Sequence, residues 1–334
     1  MAASGNTSGV TGDAYHLPVL ADGVRRVLAE SPERLERLID MTLGGGGHAA
    51  MLLEAAPHAR LLGLDRDPAA LRAASARLEP FGDRFVAARS TFDQVAEVAR
   101  AHGFEHANGI LMDVGVSSRQ LDDAARGFSF RHDGPLDMRM DPDGPTTAAD
   151  LVNTLDETEL TRIFREYGEE RHAARIARAI CQDRVESSFT TTLALASLVE
   201  RVIPRRMQGA DAGRIHPATR IFQALRIAVN DELGMLERGL SAAFNLLPPG
   251  GRLAVISFHS LEDRLVKTQM ADWTSGCICP REFPECRCGR LPMAKRVTRK
   301  PVVATAEEAA ANPRSRSARL RAVERLDITA GGDR

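Results

Sequence analysis

No apolar run in the chain approaches the roughly 18 residues that would cross a bilayer. The N-terminus has no basic stretch followed by an apolar one, as a secretory leader would. Together these absences make a cytoplasmic location the expectation and leave no membrane partner. Charge of one sign is missing too, since 44 Lys and Arg against 45 Asp and Glu give a net charge of −1. Any affinity for a polyanion must therefore come from basic residues segregated locally. Cysteine is scarce, five in 334 residues, yet Cys277, Cys279, Cys286 and Cys288 fall within twelve residues. Four thiolates suit tetrahedral zinc. The C-x-C spacing strains chelation by neighbours, however, and a disulfide is disfavoured in a reducing compartment, so free thiols and no metal are expected.

What the chain does have is a short apolar run, Leu38-Ile39-Asp40, that ends in an acid and then in four glycines, Gly44 to Gly47. An Ala-rich, helix-favouring segment, Ala49 to Ala56, begins directly behind them. Strand, tight turn and helix follow, with the first free helical N–H groups facing a ligand. The loop predicts a nucleotide-type cofactor. Gly44, Gly46 and Ala49 also satisfy the dinucleotide pattern, so the glycines alone do not say which. A second strand, Arg60 to Leu64, ends at Asp65, eighteen residues after Gly47, where an acid can accept both hydroxyls of a ribose. NAD and S-adenosylmethionine share that ribose. Asp67-Pro68 supplies the cap and first-turn proline of the next helix.

From Tyr15 to Asp113 strand and helix alternate, with further strands near Arg84 to Ala88 and at Gly109 to Met112, which predicts a parallel sheet covered on both faces. Ligands of such sheets sit at the carboxyl ends of the strands. Asp40, the glycines, Asp65, Phe92 and Asp113 gather there, and Phe92 is a candidate wall for an adenine ring. After Asp113 the alternation stops. Helices are predicted at Glu157 to Tyr167 (Asp156 and Glu159 resembling a capping box), Arg171 to Arg184 and Thr192 to Ile203. Arg171, Arg175 and Arg178 share the face opposite Ala173, Ile176 and Ile180 and are candidates for phosphate contact. Apolar residues every three or four positions from Phe222 to Phe244 mark a long helix or helix pair. A fifth strand follows at Arg252 to Phe258. Strand-like segments at Pro301 to Ala304 and Leu320 to Val323 are expected to complete the sheet. Between Lys295 and Arg325 nine Lys or Arg stand against three Glu, a second candidate phosphate surface that includes Arg314, Arg316, Arg319 and Arg321.

Several longer motifs then come in order. They are Asp40-x-Thr42-x-Gly44-x-Gly46-Gly47-His48, Asp65-Arg66-Asp67-Pro68, Asp113-x-Gly115-Val116-Ser117-Ser118-x-Gln120-Leu121-Asp122 and Arg126-Gly127-Phe128-Ser129-Phe130. Gly134-Pro135-Leu136-Asp137-Met138-Arg139-Met140, Tyr167-Gly168-Glu169-Glu170-Arg171, His216-Pro217-Ala218-Thr219-Arg220-x-Phe222-Gln223-Ala224 and Ser257-Phe258-His259-Ser260-Leu261-Glu262-Asp263-Arg264 follow. This set closely resembles the RsmH (MraW) family from about His16 to Arg325. The resemblance implies an α/β fold of the Rossmann-like class I S-adenosylmethionine-dependent methyltransferases with a helical insertion domain. Its division would be a disordered tail over 1–13, the methyltransferase domain over 14–116 and 216–330, and a substrate-recognition insertion over 117–215. It implies methylation of N4 of one cytosine in the decoding (P-site) region of bacterial 16S rRNA. The partner would be that rRNA or the small ribosomal subunit, and the chain a monomer or homodimer.

By the same resemblance Gly46, Gly47 and His48 match the family's methionine-side loop, Asp65 its ribose acid, Phe92 its adenine neighbour, and Asp113 with Gln120 its contacts after strand four. Many amino-methyltransferases carry Asp or Asn, two prolines and an aromatic at that last point. Asp113-Val114-Gly115-Val116 keeps the acid alone, and no catalytic residue is assigned. Ser117, Ser118 and the Ser257-Phe258-His259 turn are candidate hydrogen-bonding groups, and Phe128, Phe130 and Phe258 candidate base-stacking rings. An NAD dehydrogenase and a non-catalytic ribosome-assembly factor are the alternatives from other classes.

Overall fold

The computed structural model of the protein describes residues 18–203, 216–280 and 282–328. The tail expected over 1–13 lies outside them. The first half of the chain alternates as its hydrophobic pattern predicts. Helix α1 (Ala21–Leu28) leads to β1 (Arg37–Asp40), α2 (Gly47–Ala55), β2 (Arg60–Asp65), α3 (Pro68–Leu78), β3 (Phe85–Arg89), α4 (Val95–His102) and β4 (Gly109–Asp113). A run of helices follows: α5 (Ser118–Asp122), α6 (Ala148–Thr154), α7 (Glu157–Glu166), α8 (Ala173–Asp183), α9 (Thr192–Val202), α10 (Ala218–Asn230) and α11 (Glu232–Leu246). The sheet resumes with β5 (Arg252–Ser257), α12 (Ser260–Thr274), β6 (Ala294–Arg296), α13 (Ala306–Ala311) and β7 (Arg319–Arg325).

These strands form one seven-stranded sheet in the order β3-β2-β1-β4-β5-β7-β6. The first five are parallel and β7 runs against β5. This is the Rossmann-like class I arrangement, with its switch point between β1 and β4. Alternate strand residues feed opposite faces, as the period of a strand requires. Ile39, Leu62, Ile110 and Leu253 pack under α4, α11 and α12, while Leu38, Leu61, Leu111 and Ala254 pack under α1, α2 and α3. Both faces are therefore dry. The carboxyl ends of β1, β2 and β4 stay open, because the chain leaves each of them through a loop rather than a packed helix.

A third core is built without strands. Leu160, Ile163 and Phe164 of α7, Ile176 and Ile180 of α8, and Leu195 and Val199 of α9 bury one another together with Ile221, Phe222 and Leu225 of α10. The stretch read as one helix or a pair is a pair, broken at Asp231, whose φ of 46° is left-handed. Asn230, the last residue of α10, is buried. Its Oδ1 accepts from the Met140 N–H at 2.8 Å and its Nδ2 donates to the Met138 carbonyl at 2.8 Å, so the long loop before α6 is held onto α10.

Two sequence expectations change. Residues 301–304 supply a single bridge, Val302 to Leu320, and the sixth strand is Ala294–Arg296, three residues with two exposed cations that carry no apolar signal. Asp156 caps α7 through the Glu159 N–H at 2.8 Å, but Glu159 turns to Arg162 instead of reaching back, so the capping box is half formed.

Candidate functional site

At the open strand ends lies a cavity of about 710 Å³, a size suited to a cofactor-sized ligand. Gly47, His48, Asp65, Phe92, Asp113 and Gln120 all line it. Gly46 does not. It is the residue before α2, with φ of 75°, and a Cβ there would sit 3.2 Å from Ala74 and Leu78 of α3. Its part is to let the loop turn tightly beneath α3, which brings Gly47 and His48 to the wall.

Asp65 is fixed from both sides. One carboxylate oxygen accepts from the Gly44 N–H at 2.8 Å and the other from the Asp67 N–H at 2.9 Å. The glycine loop and the second strand end are thus one unit. Phe92 stands across the cavity with its ring against α11, at the place where Gly239 leaves room for it. Gln120 is occupied by the protein itself: Oε1 accepts from the Ser117 N–H at 3.0 Å and Nε2 donates to Asp67 at 3.2 Å. In this arrangement it shapes the loop after β4.

His48 sits buried in the first turn of α2, and its Nε2–H donates to the Val19 carbonyl at 2.9 Å. Burial lowers its pKa to about 4, so the ring is neutral. Its Nδ1 faces Asp113 Oδ2 at 3.7 Å. Asp113 is pushed well above the usual carboxylate range, first by burial and then by Asp40 and Glu262, both acids. Asp40, behind it, is raised to about 7, mainly by burial. Asp40 Oδ2 and Asp113 Oδ1 are buried with no hydrogen-bond partner among the described residues. Glu262 behaves differently. Burial alone would raise it, yet His259 and Arg226 bring it below its ordinary value. Its Oε2 accepts from the Phe258 and His259 N–H groups at 2.8 and 3.2 Å.

The acids at this end of the sheet define what fits. A wall whose buried carboxyls meet other carboxyls is completed by a ligand carrying positive charge. S-adenosylmethionine brings a sulfonium and an ammonium, and the Asp113 carboxyl on this wall suits that charge. A dinucleotide would bring two negative phosphates to the same acids, which tells against the dehydrogenase alternative.

The candidate stacking rings separate. Phe258 lines the cavity. Phe128 is buried in the helical core under Arg126, and Phe130 packs on His216 and Phe222 at centroid distances of 4.6 and 4.8 Å. Their backbone motif serves the loop, so the rings point inward. The basic surfaces are partly neutralised. Arg178 pairs with Glu157, Arg314 with Asp122, and both Arg319 and Arg321 with Asp263. Arg119, exposed at the cavity, makes no ion pair among the described residues. Glu262 has no role among the sequence candidates, although the spacing His259-x-x-Glu262 is that of a helix-capping pair and marks the turn where it sits.

Comparison with known proteins agrees with this geometry. The model of the MraW methylase family matches residues 13–326. Ribosomal RNA small subunit methyltransferase H of Symbiobacterium thermophilum is 54% identical over 315 residues, 93% of this chain and 97% of that protein. The protein of the same name from Geobacter sulfurreducens is 54% identical over 312 residues, 93% of this chain and 99% of its own. With the glycine loop, the strand-end acids and nearly the full length of the chain in agreement, the protein belongs to the MraW methylase family, whose methyl donor is S-adenosylmethionine.

Proposed function

We propose that this protein methylates N4 of one cytosine in the decoding (P-site) region of bacterial 16S rRNA, with the small ribosomal subunit as its partner in the cytoplasm. The observation that carries the reading is Asp113 on the cavity wall, held well above the usual carboxylate range by burial and by the neighbouring acids Asp40 and Glu262, in a chain 54% identical to proteins named as small-subunit rRNA methyltransferases. Gly47, His48, Asp65, Phe92 and Asp113 are the residues proposed to hold the donor. Gly46 and Gln120 shape the loops that present them. Residues 117–215 are the proposed substrate-recognition insertion.

The bound donor supplies a methyl group already activated by its sulfonium, so positioning is the main demand on the protein. A cytosine amine is a weak nucleophile, because its lone pair is delocalised into the ring. It needs a dry site and acceptors for its N–H groups. Asp113, whose side chain lines that wall, offers an acceptor carboxyl, and Phe258 offers a face against which a base drawn out of its stack can rest.

Radiolabelled methyl transfer to small subunits from cells lacking this modification tests the proposal, with the labelled nucleoside identified after digestion. Label in N4-methylcytidine at one decoding-region position is expected. Label in another nucleoside, or none with either naked 16S rRNA or assembled subunits, overturns it.

A further inference from the structure

We propose that Cys277, Cys279, Cys286 and Cys288 form a structural tetrathiolate zinc site that clamps the segment between α12 and β6. The four sulfurs converge so that each lies within 4.8 Å of the others. Cys286 and Cys288 Sγ are 3.6 Å apart, and Cys288 and Cys277 Sγ 3.8 Å. Thiolates about 2.3 Å from a tetrahedral zinc stand about 3.8 Å from one another, so these separations are those of a ligand set and too long for a sulfur–sulfur bond. All five cysteines are free thiols.

The C-x-C spacing argues against a metal only if each pair must chelate unaided. Here the chain doubles back between the pairs, and Cys288 is brought to Cys277 across eleven residues. Backbone donors aim at the sulfurs. The Cys279 N–H points to Cys277 Sγ at 3.4 Å and the Arg287 N–H to Cys279 Sγ at 3.3 Å, which favours thiolate charge there.

The segment needs a clamp, because it has no core of its own. From 275 to 293 no helix or strand forms among the described residues, and Ile278, Phe283 and Leu291 are 62%, 48% and 56% exposed. Its ends are tied down, Arg290 to Asp272 at 2.8 Å and the Met293 N–H to the Trp273 carbonyl at 2.8 Å. Its middle has no buried apolar side chain among the described residues. A closed metal site supplies the missing stabilisation in segments of this kind. None of the four cysteines lines the cofactor cavity, and all four tetrahedral positions are filled by the protein, so the site is structural.

The test uses untagged full-length protein purified without added metal or chelator. Expected are about one zinc per chain by mass spectrometry, its release by an organomercurial, and a visible tetrahedral-thiolate spectrum when cobalt replaces zinc. Cys279→Ser and Cys288→Ser should each cut bound zinc several-fold, while Cys181→Ser keeps it. Hydrogen exchange separates clamp loss from unfolding: chelated or Cys288→Ser protein should lose protection over 275–293 and keep it in β1, β4 and β5. Substoichiometric zinc with four freely reactive thiols, disulfides in freshly reduced protein, or no tetrahedral cobalt spectrum overturns the proposal.

Discussion

His48 Nδ1 and Asp113 Oδ2 face each other at 3.7 Å on the cavity wall, and burial drives both toward their uncharged forms. An imidazole and a carboxyl that would pair as ions in water are here kept from doing so. The charge that the acid lacks a partner for must arrive with the ligand.

Donor binding should therefore release protons. A raised acid is protonated below its folded pKa and becomes anionic when a cation settles beside it, so affinity for S-adenosylmethionine should rise with pH as Asp113, held well above the usual carboxylate range, gives up its proton. The demethylated product has lost the sulfonium charge and should show a flatter profile. Calorimetry in buffers of different ionisation enthalpy measures both. Asp113→Asn should reduce the preference for donor over product by about tenfold, roughly one unit of pKa in free energy. Equal proton release with donor and product would contradict this account.

Asp40→Asn should stabilise the ligand-free protein at alkaline pH. The unfolded chain releases the Asp40 proton near 3.8 and the folded protein holds it to about 7. The folded state binds more protons across that interval, so stability falls as pH rises through it and the full penalty applies above it. The amide carries no charge to bury. A gain on the order of 4 kcal/mol is expected at pH about 8, shrinking toward zero near pH about 4. His48 titrates in both proteins and cancels. Denaturant melts at the two pH values decide the matter.

Arg126→Met should loosen the loop after β4. The guanidinium gives Nη1 to Asp67 at 2.7 Å and Nη2 to the carbonyls of Arg139 and Met140 at 3.0 and 2.9 Å. Asp67 is buried, and the loss of its cation should cost on the order of 3 kcal/mol. Arg126→Lys restores the charge but cannot span the two carbonyls, and should recover about half. Urea unfolding of the three proteins gives the comparison.

Gly127→Ala should be strongly damaging in that loop. Its φ is 71°, and a Cβ there would meet the Pro135 carbonyl oxygen at 2.2 Å and the Asp137 nitrogen at 2.8 Å, both main chain. Gly103 has a similar φ of 75° with nothing near it, so Gly103→Ala should cost only about 1 kcal/mol. Thermal melts that place the two variants side by side would remove the steric explanation.

Local signals in the chain were enough to read the cofactor end of the sheet. Asp40, Asp65 and Asp113 each end an apolar run, and Asp67-Pro68 is a cap whose partners lie within two residues: Asp67 Oδ1 accepts from the Ala69 N–H at 2.9 Å. The loop beyond β4 was less legible because its contacts are distant in sequence. Asn230 reaches back ninety residues to Met140, and nothing in its neighbourhood marks it. Phe128 and Phe130 carry the same residue type as a stacking ring, and only the third core decides that they face inward. The short sixth strand, held by pairing with β7, has no alternation to find.

Asp67 joins these two regions. Its Oδ1 starts α3, its Oδ2 takes Arg126 and Gln120, and its own N–H is bound by Asp65. Two residues of chain thus connect the end of β2 to the loop after β4. A tug on either is transmitted through a tether too short to stretch, so the enzyme has no means of setting one without straining the other.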